Sequence, residues 1–368
     1  GENAMPLHFE TAEFADRVAR TCAALAEAGL DALLCFKQET MYWLTGYDTF
    51  GYCFFQCLVL RADGDMALLT RSADLRQAQL TSTLADIRIW VDRDGANPAE
   101  QLRDLLEAKG LRGKRLGGEY ETHGLTAANG RRLDAALDGF ADTRDASLLV
   151  SRRRLVKSPA ELAHIRRAAG LAAAALDAAI AHTGPGADEG VILARMHDAV
   201  FEGGGDYPGT PFIIGSGPQA LLCRFYAGRR RLAPVDQLTL EFAGVYRQYH
   251  ACLMRTLLVG EASDQHRRMH AACGDAQAAV LDRHGMKAHR LNATGYSLGA
   301  VYAPSWMDWP MFYAGNPVEM REGMVFFLHM ILMDSESGNA MTLGRTSLVT
   351  AAGAEPLSRA PLDLVLRD

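Results

Sequence analysis

Apolar residues alternate between helical and extended spacing along the first part of the chain. From about residue 9 to residue 28 they recur on one side of a predicted amphipathic helix, which Gly29 ends. A short apolar run over residues 32–36 is typical of a buried strand. Two more apolar segments flank a turn at residues 63–64 and predict a β-hairpin: residues 57–60 and 66–69.

A second helix is predicted from about residue 98 to residue 109. Asn97 can cap its first turn, and Pro98 suits the first helical position. Another extended segment follows at residues 116–119. Strands and helices therefore alternate, which predicts an α/β domain over residues 1–150.

Residues 151–368 form the predicted second domain, in which helices come first and strands later. Ser158 and Glu161 have the spacing of a capping box at the start of an Ala-rich helix that runs to about residue 182. A second helix is predicted over residues 188–202. Strands, a hairpin and two more helices complete the domain, with extended segments at residues 211–217, 237–258, 324–333 and 346–350. The predicted fold class is therefore α/β, in the broad sense that includes α+β.

The composition narrows the class of protein. A chain of 368 residues suits two domains, and a net charge of −6 argues against binding to nucleic acid. No apolar run approaches the roughly 20 residues that span a bilayer. The seven cysteines show no C-x-x-C spacing, and no signal segment is recognisable. We therefore expect free thiols in a reducing cytoplasm, with neither a membrane nor a nucleic acid as partner.

Several short motifs of the second half occur together in one known family. Their order and spacing resemble the creatinase/aminopeptidase family, whose C-terminal fold is called pita-bread, and the first domain is similar to it more weakly. The resemblance implies an N-terminal creatinase-like α/β domain followed by a pita-bread domain. The matching segments are residues 154–161, 215–218, 240–244, 255–256, 294–299, 323–326 and 348–350.

Metal-dependent members of this family hold two divalent ions with two Asp, one His and two Glu. At the matching positions this chain has Glu241, Cys252, Tyr296, His329 and Gly344. Only one of four carboxylates is kept, although two adjacent cations need bridging carboxylates to offset their repulsion. The resemblance therefore implies no two-metal centre, and it leaves a single zinc held by Glu241, Cys252 and His329 as the alternative.

A metal-free branch of the family, the ectoine hydrolases, looks closer still, and creatinase itself also works without metal. The similar segments are residues 43–48, 56–57, 204–208, 241–250, 294–296 and 304–306. The ectoine hydrolases open a cyclic amidine by C–N hydrolysis, and a Glu at the position of Glu241 is implicated there as nucleophile. We therefore expect Glu241, His329 and Tyr296 to be the catalytic residues. The alternative to a catalytic role is that Glu241 is a buried structural carboxylate paired with Arg255 or Arg224.

Arg224 departs from that branch, because it stands where the relatives have a catalytic His. A guanidinium keeps its proton at ordinary pH, so it cannot act as a base, but it can bind a substrate carboxylate through two hydrogen bonds. His329 is then the candidate base. The other candidate substrate-binding residues are Tyr52, Trp306, His250 and Cys252.

Three functions remain open from the sequence. The first is a metal-independent hydrolase acting on the C–N bond of a small zwitterionic amidine, guanidine or amide. The second is a metal-dependent Xaa-Pro dipeptidase-like enzyme, and the third is a non-catalytic small-molecule-binding member of the family, which Arg224 favours. The resemblance also implies a homodimer.

Overall fold

The computed structural model describes residues 6–224, 229–275 and 294–368, and the chain divides into two compact units between Arg154 and Leu155. The sequence pattern predicts this boundary at residue 150. The short helix α6 (Leu149–Arg154) accounts for the difference, because it packs within the N-terminal unit. There the Lys37 ammonium donates a hydrogen bond to the Ser151 hydroxyl at 3.1 Å.

The N-terminal unit is a mixed six-stranded sheet with helices on both faces. The strand order is β4-β3-β2-β1-β5-β6, with β1 antiparallel to β2 and parallel to β5. The strands are β1 (Ala32–Cys35), β2 (Cys57–Arg61), β3 (Met66–Arg71), β4 (Ile87–Trp90), β5 (Arg115–Gly118) and β6 (Asp142–Asp145). The helices that precede α6 are α1 (Thr11–Glu27), α2 (Gln38–Thr45), α3 (Ser72–Thr81), α4 (Pro98–Ala108) and α5 (Ala127–Leu137).

Strand alternation explains why β1 is apolar throughout. Leu34 belongs to a buried cluster with Leu102 and Leu105 of α4. Its neighbour Leu33 belongs to a second cluster with Leu25 of α1 and Trp43 of α2. Successive side chains point to opposite faces of a strand, so a sheet covered on both faces needs an uninterrupted apolar run.

The C-terminal unit is built on a nine-stranded sheet. Its main path is β11-β10-β12-β13-β9-β8-β7, while β14 pairs with β13 and β15 pairs with β9. The helices among its described residues are α7 (Pro159–His182), α8 (Glu189–Glu202) and α9 (Asp264–Gly274). The strands are β7 (Ile213–Ser216), β8 (Asp236–Tyr246), β9 (Tyr249–Val259), β10 (Gly295–Ser297), β11 (Asp308–Met311), β12 (Val325–Asp334), β13 (Asn339–Thr350), β14 (Gly353–Pro356) and β15 (Val365–Arg367).

Helix α7 lies so close to the sheet that one strand position must be glycine. A Cβ on Gly244 would lie 1.9 Å from the carbonyl oxygen of Ala168 in α7. Ala251, which pairs with Gly244, packs in a buried cluster with Ala168 and Ala169. Glu241 has the opposite parity on β8, so its side chain projects from the face that α7 leaves open.

The predicted fold class and most predicted elements are confirmed. The capping box of Ser158 and Glu161 is present, and Asn97 and Asp188 cap α4 and α8. Strand β13 was predicted too short, because its first residues pair with β12 from Asn339 onward. One helix predicted after α9 lies outside the described residues. In the part of the chain that the structure describes, no helix has the length and apolarity to cross a membrane.

Candidate functional site

One row of residues crosses five strands of the C-terminal sheet and carries two predicted catalytic side chains. His329 on β12 pairs with Gly344 on β13, which pairs with Met254 on β9. Met254 pairs with Glu241 on β8, which pairs with Ile213 on β7. Directly paired residues of antiparallel strands point to the same face. The fold therefore directs Glu241 and His329 to the same side of the sheet.

A cavity of about 180 Å³ lies over this row. It contains five of the eight residues that the sequence analysis proposed for the site, which are Arg224, Glu241, Tyr296, Trp306 and His329. The other lining residues are Thr210, Ile213, Cys223, Met307, Met311 and Ile331. The wall is thus mostly apolar, with a few polar groups that converge on the space, as in small-molecule sites generally.

Tyr296 links Trp306 to Glu241 through two hydrogen bonds. The indole Nε1–H of Trp306 donates to the Tyr296 hydroxyl oxygen at 2.7 Å. The Tyr296 hydroxyl donates in turn to Oε1 of Glu241 at 3.2 Å. An indole N–H can only donate, so the Tyr296 proton is free to point at the carboxylate. The Trp306 hydrogen bond therefore directs the Tyr296 O–H towards Glu241.

Glu241 is a buried carboxyl group with an altered acidity. Burial raises the pKa of Glu241 to about 7, against the smaller lowering effects of the Tyr296 hydrogen bond and the Arg224 charge. Loss of hydration disfavours the charged form of a carboxyl group. The group can therefore both accept and release a proton near neutral pH, which suits acid–base chemistry.

His329 lacks a hydrogen bond at a buried ring atom. Its Nδ1 has no hydrogen-bond partner among the described residues, although the side chain is only 8% exposed. Burial, with a smaller effect of the Arg224 charge, lowers the pKa of His329 to about 4. The imidazole is therefore neutral at pH 7. The Tyr296 and Phe327 rings lie against it, with centroid distances of 5.4 and 5.2 Å.

Phe327 occupies the space beside Gly344, which the family resemblance places at the second Glu of the metal-dependent members. A Cβ on Gly344 would lie 2.9 Å from the Phe327 ring and 3.0 Å from Cβ of His329. Phe327 is fully buried. The position therefore accommodates neither a carboxylate nor a cation in its present packing, and this lining does not fit a two-metal centre.

Arg224 and Cys223 form one polar edge of the cavity. Arg224 is exposed, and its positive charge acts on Glu241, His329 and Cys223. Burial and the Glu241 charge raise the pKa of the Cys223 thiol, while Arg224 lowers it. An exposed guanidinium beside an apolar pocket can bind a carboxylate that enters it.

His250 does not line the cavity, contrary to the expectation that it contacts substrate. Its Nε2 accepts a hydrogen bond from the backbone N–H of Gly209 at 2.8 Å, and Nδ1 lies 2.8 Å from the Gln248 carbonyl oxygen. Burial lowers the pKa of His250 to about 4. A neutral imidazole satisfies both contacts, since Nδ1–H donates while Nε2 accepts. His250 therefore fixes two loops.

Neither Cys252 nor Arg255 lines the cavity. Cys252 shares the face of Glu241, but it is fully buried and absent from the cavity wall, and burial raises the pKa of its thiol well above the usual value. The Arg255 guanidinium donates to the carbonyl oxygens of Met254, Gly344 and Pro361. Among the described residues, Arg255 therefore binds backbone carbonyl groups, and it does not form the ion pair with Glu241 that the sequence left open.

Tyr52 belongs to the N-terminal unit, where it lies in a short 3₁₀ turn, Gly51–Cys53. It is mostly buried, and burial raises the pKa of its hydroxyl to about 12. Its role in substrate binding stays a prediction.

Sequence reasoning missed the apolar wall of the cavity. Met307 and Met311 lie at or just before β11, a strand of four residues that was not predicted. No chemical motif marks an apolar side chain as part of a binding site. Only the alternation of Ile331 with His329 on β12 was a usable signal.

Two family models match the chain, one in each unit. The model described as creatinase/prolidase N-terminal domain matches residues 17–156. The model described as metallopeptidase family M24 matches residues 163–292. The order of the two domains is the one that the motifs predicted.

Curated relatives and solved structures agree with this arrangement. An uncharacterized hydrolase/peptidase of Sinorhizobium fredii is 28% identical, and the alignment covers 98% of this chain and 99% of the relative. The ectoine hydrolase of Halomonas elongata is 24% identical with the same coverage. A recombinant prolidase from Thermococcus sibiricus is 17% identical with a TM-score of 0.86, covering 97% of this chain and 100% of that one. The last similarity concerns the fold alone.

Proposed function

Since this chain belongs to the creatinase/aminopeptidase family, we propose that it hydrolyses a C–N bond in a small amidine, guanidine or amide without a divalent metal. The observation that carries the proposal is the Glu241 carboxyl. It is buried at the cavity, bound by the Tyr296 hydroxyl, and has a pKa of about 7. The similarity to an ectoine hydrolase supports the same class of reaction.

Arg224 and the size of the cavity favour a small substrate that carries a carboxylate. A space of about 180 Å³ suits a compact molecule rather than an extended peptide. The Arg224 guanidinium at the edge binds the carboxylate, which leaves the rest of the molecule among the Met307, Met311 and Ile331 side chains. The electrophilic carbon then faces Glu241.

Glu241 acts on this carbon in its ionised form, either as a base or as a nucleophile. As a base it removes a proton from water, the oxygen adds to the carbon, and the proton passes to the leaving nitrogen as the C–N bond breaks. As a nucleophile its oxygen adds to the carbon, the C–N bond breaks as the nitrogen leaves with a proton, and water then cleaves the acyl-type intermediate and frees the carboxylate. His329, neutral and with Nδ1 free of described partners, is the second proton carrier.

A cationic substrate carbon explains why this chemistry can proceed without a metal. An amidinium carbon is already electron-poor, so it needs less polarisation by a Lewis acid than a peptide carbonyl does. The residues beside Glu241 fit this account. Tyr296 lies next to Glu241, and the Phe327 ring fills the space beside Gly344. A zinc held by Glu241, Cys252 and His329 fits less well, since Cys252 does not reach the cavity wall.

Two other functions are supported by single observations. The prolidase-like fold favours a metal-dependent Xaa-Pro dipeptidase. Arg224 in place of a catalytic His favours a binding protein without turnover. We also propose a homodimer in the cytoplasm that acts on a small zwitterion.

Two measurements on the purified protein separate the hydrolase from the binding protein. A thermal-shift screen with ectoine, creatine and related zwitterions identifies a ligand, because a molecule that binds only the folded state raises the melting temperature. Each hit is then incubated with the protein, and the release of amine is followed. Turnover that Glu241→Gln abolishes supports the hydrolase. A hit that is bound and never cleaved supports the binding protein.

A further inference from the structure

We propose that Glu189 is a positioning residue that holds Arg224 at the cavity by joining the two ends of the segment that carries it. This inference rests on the proposed function, in which Arg224 binds the substrate carboxylate. The segment comprises residues 217–229, of which the structure describes 217–224 and 229. Residue Ser216 precedes it and Arg230 follows it. Glu189 lies outside the cavity and contacts neither substrate nor reacting atoms in the proposed reaction.

The Glu189 carboxylate binds both ends of the segment at once. Its Oε1 accepts hydrogen bonds from the Ser216 backbone N–H at 2.8 Å and from the Ser216 hydroxyl at 2.5 Å. Its Oε2 accepts the backbone N–H of Arg230 at 3.0 Å. Glu189 is fully buried at the first position of α8. A buried carboxylate with three donors is a strong and directional connection.

Further contacts join the two ends of the segment. The backbone N–H of Glu189 donates to the Arg230 carbonyl oxygen at 3.1 Å, so the Arg230 residue is bound through both of its backbone groups. The Arg230 guanidinium donates to the Ser216 hydroxyl at 2.9 Å and forms an ion pair with Asp236 at 2.5 Å. The two ends of the segment are therefore fixed to each other and to α8.

This geometry matters because, within the described part of the chain, Arg224 has no support comparable to that of Arg230. Its side chain is exposed, whereas a guanidinium must be held in place to bind a carboxylate with good geometry. Cys223, adjacent to it, lies in the cavity wall, which ties the position of this short stretch to the site. Without the Glu189 hydrogen bonds, the two ends of the segment should no longer be held together. Arg224 should then keep its charge but lose its fixed position at the cavity.

Cys223 offers a probe for the position of Arg224 that needs no knowledge of the substrate. Iodoacetate carries a carboxylate and iodoacetamide is neutral, yet both alkylate a thiolate with loss of iodide. The ratio of their rate constants at Cys223, measured by peptide mass spectrometry, reports attraction of the carboxylate by Arg224. General loosening of the structure changes both rates together and leaves the ratio unaltered. Cys53, which is exposed in the N-terminal unit, provides the internal reference.

Four variants test the inference. Glu189→Gln retains the shape of the side chain but points an amide N–H at the Arg230 N–H, and we expect the ratio to fall by about as much as in Arg224→Ala, roughly tenfold. The double variant should fall no further than Arg224→Ala alone. Glu161→Gln is the matched control, because Glu161 is also a buried carboxylate at a helix start and accepts the Tyr249 hydroxyl. Its ratio should equal that of the unaltered protein.

The outcomes distinguish this inference from the proposed function. An unchanged ratio in Glu189→Gln together with a fall in Arg224→Ala would overturn the positioning role and leave carboxylate binding intact. An unchanged ratio in Arg224→Ala would overturn both, as would a Cys223 thiol that neither reagent labels. If Glu189→Gln does not fold, Ser216→Ala replaces it, since this change removes the hydroxyl shared by Glu189 and Arg230. A smaller fall in the same direction is then expected.

Discussion

The Tyr296 hydroxyl donates a hydrogen bond to Oε1 of Glu241 at 3.2 Å, and this contact stabilises the ionised carboxylate. By the family resemblance, Tyr296 occupies the position of a His that binds metal in the metal-dependent members. In this chain its hydroxyl binds the Glu241 carboxylate. The contact is therefore the structural basis for treating Glu241 as a general base or nucleophile with a tuned acidity.

Turnover should depend on the ionisation of Glu241 and therefore on pH. Because the pKa of Glu241 is about 7, kcat/KM should fall as the pH drops below about 7 and should level off above it. Tyr296→Phe removes a hydrogen bond that lowers this pKa, so the acidic limb should move to higher pH. The measurement is a pH profile of kcat/KM for both proteins. A limb that stays in place would remove Tyr296 from the control of Glu241.

Trp306→Phe should act on Glu241 through Tyr296. The variant loses the indole donor and leaves the Tyr296 hydroxyl with one contact fewer in a buried setting, which costs about 1–3 kcal/mol of unfolding free energy. The acidic limb should move in the same direction as in Tyr296→Phe. Urea denaturation and a pH profile check the two parts. If only stability changes, Trp306 is a packing residue.

The packing at Gly344 yields a prediction about stability. Gly344→Ala should cost about 1–3 kcal/mol, because the new Cβ would lie 2.9 Å from the buried Phe327 ring. Phe327→Leu in the same chain should recover part of this loss. Gly170→Ala is the control, since nothing lies within 4 Å of its Cβ position in α7, and it should stabilise by about 0.5–1 kcal/mol. Equal effects at the two glycines would contradict the account.

Protein stability should also depend on the ionisation of Glu241. Its folded-state pKa of about 7 lies above the ordinary value of 4.5, so the folded chain binds this proton more tightly than the unfolded chain does. The stabilising contribution is therefore complete below pH 4.5 and is lost as the pH rises through about 7. Relative to Glu241→Gln, the unaltered protein should lose on the order of 1–3 kcal/mol over that interval. Melting curves of both proteins across this pH range provide the measurement, and parallel curves would be the contrary result.

Glu241 and His329, which line the cavity, were found because their chemistry or spacing is unusual. Glu241 is a carboxylate in an apolar strand, and His329 interrupts an apolar run, so each stood out. Their common face followed from pairing across four neighbouring strands, which no local pattern specifies. His250 shows the limit of such reasoning. A histidine near the site in sequence was a reasonable candidate, and only the loop packing around Gly209 reveals that its ring is fully engaged.

Glu189 illustrates a different limit. Its sequence context indicates nothing more than an acidic residue in the first turn of a helix. The role proposed for it depends on two segments, near Ser216 and Arg230, that converge on one carboxylate. Such convergence is a property of the tertiary fold. The same holds for the space filled by Phe327, since strand pairing brings Gly344 and Phe327 together.

The central claim is hydrolysis by Glu241 without a divalent metal, and the most direct measurement combines metal content with turnover. The protein is purified without added ions, treated with a chelator and analysed for zinc, manganese and cobalt, while cleavage of the zwitterion found by thermal shift is followed. We predict undiminished turnover at far less than one metal per chain, and no turnover in Glu241→Gln. Turnover that is lost with the chelator and restored by zinc, manganese or cobalt would contradict the account.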